Sequence, residues 1–150
     1  MKGRPKHDQS LGANDAKVPK ADPALTGPAY PHKPLWKFRG IDLAGPWGCH
    51  ELTKEHLLSL VEKLSDFETM TWSQIEQKRG KHAPQNHEMP VAAICSKAQG
   101  RLKELKYDDV DVLYSLHIAQ LRRLWGIRRG HVFHVLWWDP EHTVYATKGR

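Results

Sequence analysis

The chain has 150 residues and a mass of 17.2 kDa, enough for one domain with a core, and carries 23 Lys/Arg against 17 Asp/Glu, for a net charge of +6 and a pI near 9.4. No apolar run approaches the roughly 18 residues that span a bilayer, and the N-terminus has no apolar signal-peptide core, which argues against membrane-spanning and secreted classes and leads us to expect a cytoplasmic location. Cys49 and Cys95 fit neither a CxxC pair nor a disulfide framework and read as two reduced thiols.

Residues 1–34 contain six prolines and few large apolar side chains, so this stretch reads as a disordered or extended leader, and residues 35–150 as a single domain. The leader holds six Lys/Arg against three Asp/Glu, and half of the net charge therefore lies outside the part expected to fold. The remainder, at 17 against 14, is only mildly basic. Ten histidines add charge as pH falls through about 6.5.

Residues 35–43 alternate apolar and polar side chains and predict a strand with a bulge near Gly40. Thr53 can cap a helix whose stripe is Leu57, Leu60, Val61, Leu64 and Phe67. Thr71 with Gln74, and Ser96 with Gln99, form capping-box patterns that open a second and a third helix, the third presenting Ala98, Leu102 and Leu105. Residues 110–145 then read as a three-stranded antiparallel meander, with a hairpin at Arg128-Arg129-Gly130-His131 and a stop at Asp139-Pro140. This order predicts an α+β fold: an N-terminal strand and two or three helices packed on one face of a mainly antiparallel sheet formed by residues 110–145, with the other face open to partners.

Arginine and histidine are threaded through that meander. Alternation sets Arg122 and Arg128 on one face of their strand, with Arg123, Trp125 and Ile127 on the other. A basic sheet bearing histidines suits a phosphodiester, because guanidinium groups bind phosphate oxygens and a neutral imidazole accepts a proton from a 2′-hydroxyl. Arg122, Arg123 and Arg128 are candidates for the first role, and His117, His134 or His142 for the second. Tyr145 can orient a base or act as an acid, while His82 and Lys148 extend the candidate nucleic-acid-binding set. The plainer alternative is that these arginines are solvated strand faces. No metal or other cofactor is expected, since His131 and His134 fall on opposite faces of a strand and His82-x4-His87 lacks further ligands at a recognised spacing. Of the six tryptophans most read as core, although adjacent Trp137 and Trp138 put one ring on each face and one of them can serve as a stacking platform.

From Met70-Thr71-Trp72 to Asp139-Pro140-Glu141-His142 the chain resembles a family of small uncharacterised bacterial proteins. Their pattern of MTW, a histidine-bearing loop, RLxEL, an aspartate turn, RxWGIR and LWWDPEH is matched by Met70 to Trp72, His82 and His87, Arg101 to Leu105, Asp108, Asp109 and Asp111, Arg123 to Arg128, and Leu136 to His142. A looser resemblance reaches the RelE/ParE-like toxins, many of which cleave RNA without a metal. That likeness implies a RelE-like topology, with Arg123 and Arg128 at the phosphate, His142 or Tyr145 at the proton transfer, RNA as substrate and an antitoxin protein as partner. The expectation is thus an RNA-binding, toxin-type endoribonuclease. The alternatives are a non-catalytic module for nucleic acid or protein, or an accessory protein of a mobile element.

Overall fold

The computed structural model describes residues 31–78 and 80–146, and the expected leader falls almost wholly outside them. In chain order the elements are β1 (Leu35–Lys37), α1 (Lys54–Phe67), α2 (Trp72–Ile75), β2 (His87–Pro90), α3 (Ser96–Glu104), β3 (Val112–Ala119), β4 (Arg122–Arg129) and β5 (Val132–Asp139). They form an α+β fold around one five-stranded sheet of order β1-β5-β4-β3-β2, in which β1 runs parallel to β5 and every other neighbour is antiparallel.

The meander is the centre of the sheet, and β1 and β2 extend it beyond residues 110–145. The strand expected over 35–43 stops at Lys37, because the Ile41 amide donates to the Phe38 carbonyl at 3.0 Å and Gly40 takes φ 91°, a conformation that favours glycine. Chain packing begins before the expected domain start, since the His32 carbonyl accepts from the Trp72 amide at 3.0 Å.

Both faces of the sheet are covered, which corrects the expectation of an open face. Tyr114, Leu116, Leu124, Phe133, Val135 and Trp138 pack against Leu60, Leu64 and Phe67 of α1 and Trp72 and Ile75 of α2. On the other side Leu113, Trp125, Ile127, Leu136 and Trp137 meet Ala98 and Leu102 of α3 together with Trp47, Tyr107, Val110 and Val144. Alternation along a strand sends neighbours to opposite faces, so Trp137 and Trp138 anchor different cores. At 0% and 2% exposure neither ring is a stacking platform.

A one-residue bulge departs from strict alternation. Trp125 pairs with Trp137 but Gly126 pairs with Val135, leaving Leu136 as the extra residue, and both Leu136 and Trp137 then face the α3 side. The Leu136 carbonyl accepts from the Asp42 amide at 3.1 Å.

The helices keep their expected places with two changes. Thr53 caps α1 by accepting from the His56 amide at 3.1 Å, and Thr71 and Gln74 complete a capping box on α2. In α1 only Leu60, Leu64 and Phe67 of the expected stripe are buried; Leu57 and Val61 lie to one flank and, with Leu58, face solvent. In α3 the cap position belongs to Cys95, and Ser96 is already helical. Gln99 reaches back to the Ile94 carbonyl instead of closing a box.

Candidate functional site

Register decides which polar side chains meet. Pairing across the sheet aligns His87 of β2 with Ser115 of β3 and Trp125 of β4, and in the adjoining row His117 of β3 with Arg123 of β4 and Asp139 of β5. Odd-numbered positions of β3 and β4 face the α3 side, as Leu113 and Trp125 do, so Ser115, His117 and Arg123 share that face. They floor a half-open depression of about 270 Å³, with His87 and Met89 along one wall and Ala83 to Gln85 at the rim.

The opposite wall is the segment after β5. Asp139 is fully buried, and its carboxylate gathers four donors: the Trp125 indole at 3.1 Å, the Thr143 amide at 2.9 Å, the Thr143 hydroxyl at 3.2 Å and the Val144 amide at 3.0 Å. Val144 is itself buried, and its carbonyl accepts from the Cys95 amide at 2.9 Å. Thr143 also takes the Trp47 indole at 2.9 Å. Fastened at these points, the segment bends back over β4 and brings His142 and Tyr145 to the depression, their rings 6.5 Å apart. His142 adopts φ 59°, a left-handed conformation uncommon outside glycine, which the Asp139 bonds to Thr143 and Val144 flank.

One guanidinium, three imidazoles, a phenol and a serine hydroxyl therefore line a single depression with no Asp or Glu among its lining residues. Arg123 is steadied from behind, its Nη1 donating to the carbonyls of Gln120 at 2.6 Å and Arg122 at 3.2 Å. Of the residues singled out from sequence, His117, Arg123, His142 and Tyr145 are brought together here. No family model, curated protein or solved structure matches the chain. The chemistry of the depression therefore has to be read from its own residues.

Arg128 is placed elsewhere. It lies on the face toward α2, where its guanidinium sits 4.0 Å above the Trp72 ring and Nη1 pairs with Glu76. Glu76 Oε2 also accepts from the Tyr114 hydroxyl at 2.6 Å, and burial followed by this carboxylate raises the phenol well above its ordinary pKa. The trio is a structural clamp between α2 and the sheet, so Arg128 does not reach the depression. Arg122 shares that face and pairs with Glu55 of α1 at 3.5 Å. His134 is buried within β5 opposite Ile127 and lines no part of the depression, and His82 is exposed in the loop before β2. Lys148 lies outside the described residues.

Sequence patterning takes His87 only as half of a metal pair without further ligands, because β2 is four residues long and carries no alternation to announce it, and it passes over Ser115 in β3 altogether. It marks Asp139 only as a strand end, although a buried acid before Pro-x-x-Thr is a signal for a carboxylate that gathers the following amides. Among the described residues no group of three or more His, Cys, Asp or Glu is arranged to hold a metal ion, and no helix is long and apolar enough to cross a membrane.

A second buried acid joins α3 to β5 on the same side of the sheet. Asp42 receives Arg101 through Nε at 2.9 Å and Nη2 at 2.8 Å, the Trp137 indole at 2.9 Å and the amides of Ala44 and Gly45 at 3.0 Å each. Burial alone would raise its pKa, but the Arg101 bonds and those three donors outweigh it and hold the carboxyl far below the usual range. The Cys49 thiol, half-buried near this carboxylate, is pushed up to about 11 by desolvation and by the charge of Asp42.

Proposed function

We propose that the chain is a toxin-type, RelE/ParE-like protein that binds RNA and cleaves it without a metal at the depression between β2, β3, β4 and the segment after β5. The observation that supports this is the convergence of Arg123 with His87, His117, His142 and Tyr145 in one water-accessible hollow. Arg123 neutralises the phosphate oxygens, and an imidazole takes the proton from the 2′-hydroxyl. The freed oxygen forms a bond to phosphorus, the bond from phosphorus to the 5′-oxygen breaks, and a second imidazole or the Tyr145 phenol returns a proton to that leaving group. The products are a 2′,3′-cyclic phosphate and a 5′-hydroxyl end. Paired acid and base groups are the means by which such a reaction proceeds with no cation, each contributing a factor of about 10² to 10⁴.

Purified protein should cleave RNA in EDTA to cyclic-phosphate ends, and Arg123→Ala should abolish this while its Tm stays within a few degrees. Intact RNA at every protein concentration removes the enzyme reading, and affinity without turnover turns it into that of a binding module. A cytoplasmic location belongs with this reading. The antitoxin partner of this reading is supported by Leu57, Leu58 and Val61, which α1 presents to solvent side by side. Co-expression of a small neighbouring gene that relieves growth arrest tests it.

A further inference from the structure

The hollow at Arg123 adjoins a second, larger depression of about 420 Å³ between α1, α2 and the loop before β2, and the two share His117 and Gln85. A buried asparagine braces the wall between them. Asn86 is buried there, with its amide donating to the Ile75 carbonyl at 3.0 Å and its oxygen accepting from the His117 amide at 2.8 Å. The lining of the second depression is mostly polar: Lys63, whose ammonium lies 5.3 Å over the Phe67 ring, Lys78, the amides of Gln74, Gln77 and Gln85, and one acid, Asp66, with Met70 and the edges of the buried Phe67 and Ile75 as its apolar part. Amides and ammonium groups around a small apolar patch suit a nucleobase with its phosphate, and the volume is that of a small-ligand site.

We propose that this second depression is a nucleotide subsite flanking the hollow at Arg123, and that the ligand is single-stranded RNA passing from one face of the sheet to the other around His117 and Gln85. This rests on the RNA reading above. The path bends round the ends of β2 and β3, a turn a stiff duplex cannot make, and the glutamine amides need the Watson–Crick edge that pairing hides. Lys63 and Lys78 neutralise the phosphate on the α1 side while Arg123 holds the one on the other.

Fluorescence anisotropy on a labelled single-stranded hexaribonucleotide whose 2′-hydroxyls are methylated to block cleavage, its duplex and a 3′-mononucleotide tests the subsite. The intact protein should prefer the hexamer to its duplex by at least ten-fold. In Lys63→Ala/Lys78→Ala the preference for hexamer over mononucleotide should collapse, and the log–log salt slope for the hexamer should fall by about 0.7 for each phosphate that is no longer neutralised. Equal affinity for duplex, or an unaltered preference and slope in the double variant with its Tm retained, overturns the subsite alone. No binding of any of the three probes by the intact protein overturns both the subsite and the RNA reading. Should the double variant unfold, Gln85→Ala on the exposed loop carries the same comparison, and an unchanged hexamer preference there overturns the subsite.

Discussion

The Trp125 indole donates to the buried Asp139 carboxylate at 3.1 Å, and that bond ties the floor of the candidate site to the wall opposite. Because the same carboxylate also holds Thr143 and Val144, one side chain sets both the stability of the last turn and the placement of His142 and Tyr145. Asp139→Asn keeps the shape but turns one accepting oxygen into a donor aimed at donors. A hydrogen bond to a charged partner contributes about 1.5–3 kcal/mol, so the substitution should cost at least that much in urea unfolding. It should also speed proteolysis after residue 139. Unchanged unfolding midpoint and cleavage rate would show that the turn is held by other interactions.

Arg123 and Arg128 lie on opposite faces of one strand, and their replacement should separate cleavage from stability. Arg128→Ala leaves the half-buried Glu76 and the buried Tyr114 without their cation and uncovers the Trp72 ring, a loss approaching the roughly 3–5 kcal/mol of a broken buried pair. Arg123→Ala, half-exposed at a strand end, should change thermal stability little and RNA processing greatly. The reverse pattern, measured by calorimetry beside a cleavage assay, would relocate the site to the α2 face.

Much of this arrangement is legible in the sequence. The eight-residue strands of the meander announce themselves as dense β-branched and aromatic runs between short turns, and Thr53 and Thr71 announce their helices by side chains that satisfy the first free amides. What alternation cannot give is which face a strand turns toward a particular helix. Alternation separates Arg123 from Arg122 and Arg128, but only register places Arg123 beside His117 and sets the other two against Glu55 and Glu76. Short elements are illegible for a different reason. In β1 and β2, three and four residues long, pairing with β5 and β3 decides the conformation, and so the sequence offers His87 as a metal candidate but not as the strand partner of Ser115.

Gly126 is required by packing against β5. A Cβ there would collide with the His134 carbonyl and, at 2.5 Å, with the Phe133 ring. Neither can retreat, since the carbonyl belongs to a central strand and Phe133 is fully buried. Gly126→Ala should destabilise the protein by at least the roughly 1–3 kcal/mol of ordinary overpacking, or prevent folding outright. Wild-type unfolding in guanidinium would mean that the bulge at Leu136 absorbs the added methyl.

Acid should act first through Asp42. Its folded-state pKa lies below the unfolded value of about 3.9, so the stability it contributes is complete above that value and is lost as pH falls toward the folded one. The intact protein should therefore lose stability progressively below about pH 4. Asp42→Asn, which keeps the shape and removes the charge, should begin less stable and show a flatter curve in that range. Arg101 would keep Glu104 as a partner at 2.8 Å, yet would face a neutral amide where two charged bonds stood, a change comparable to breaking a buried pair at about 3–5 kcal/mol. Parallel acid unfolding curves for the two proteins, followed by tryptophan fluorescence, would assign the acid sensitivity to a different carboxylate.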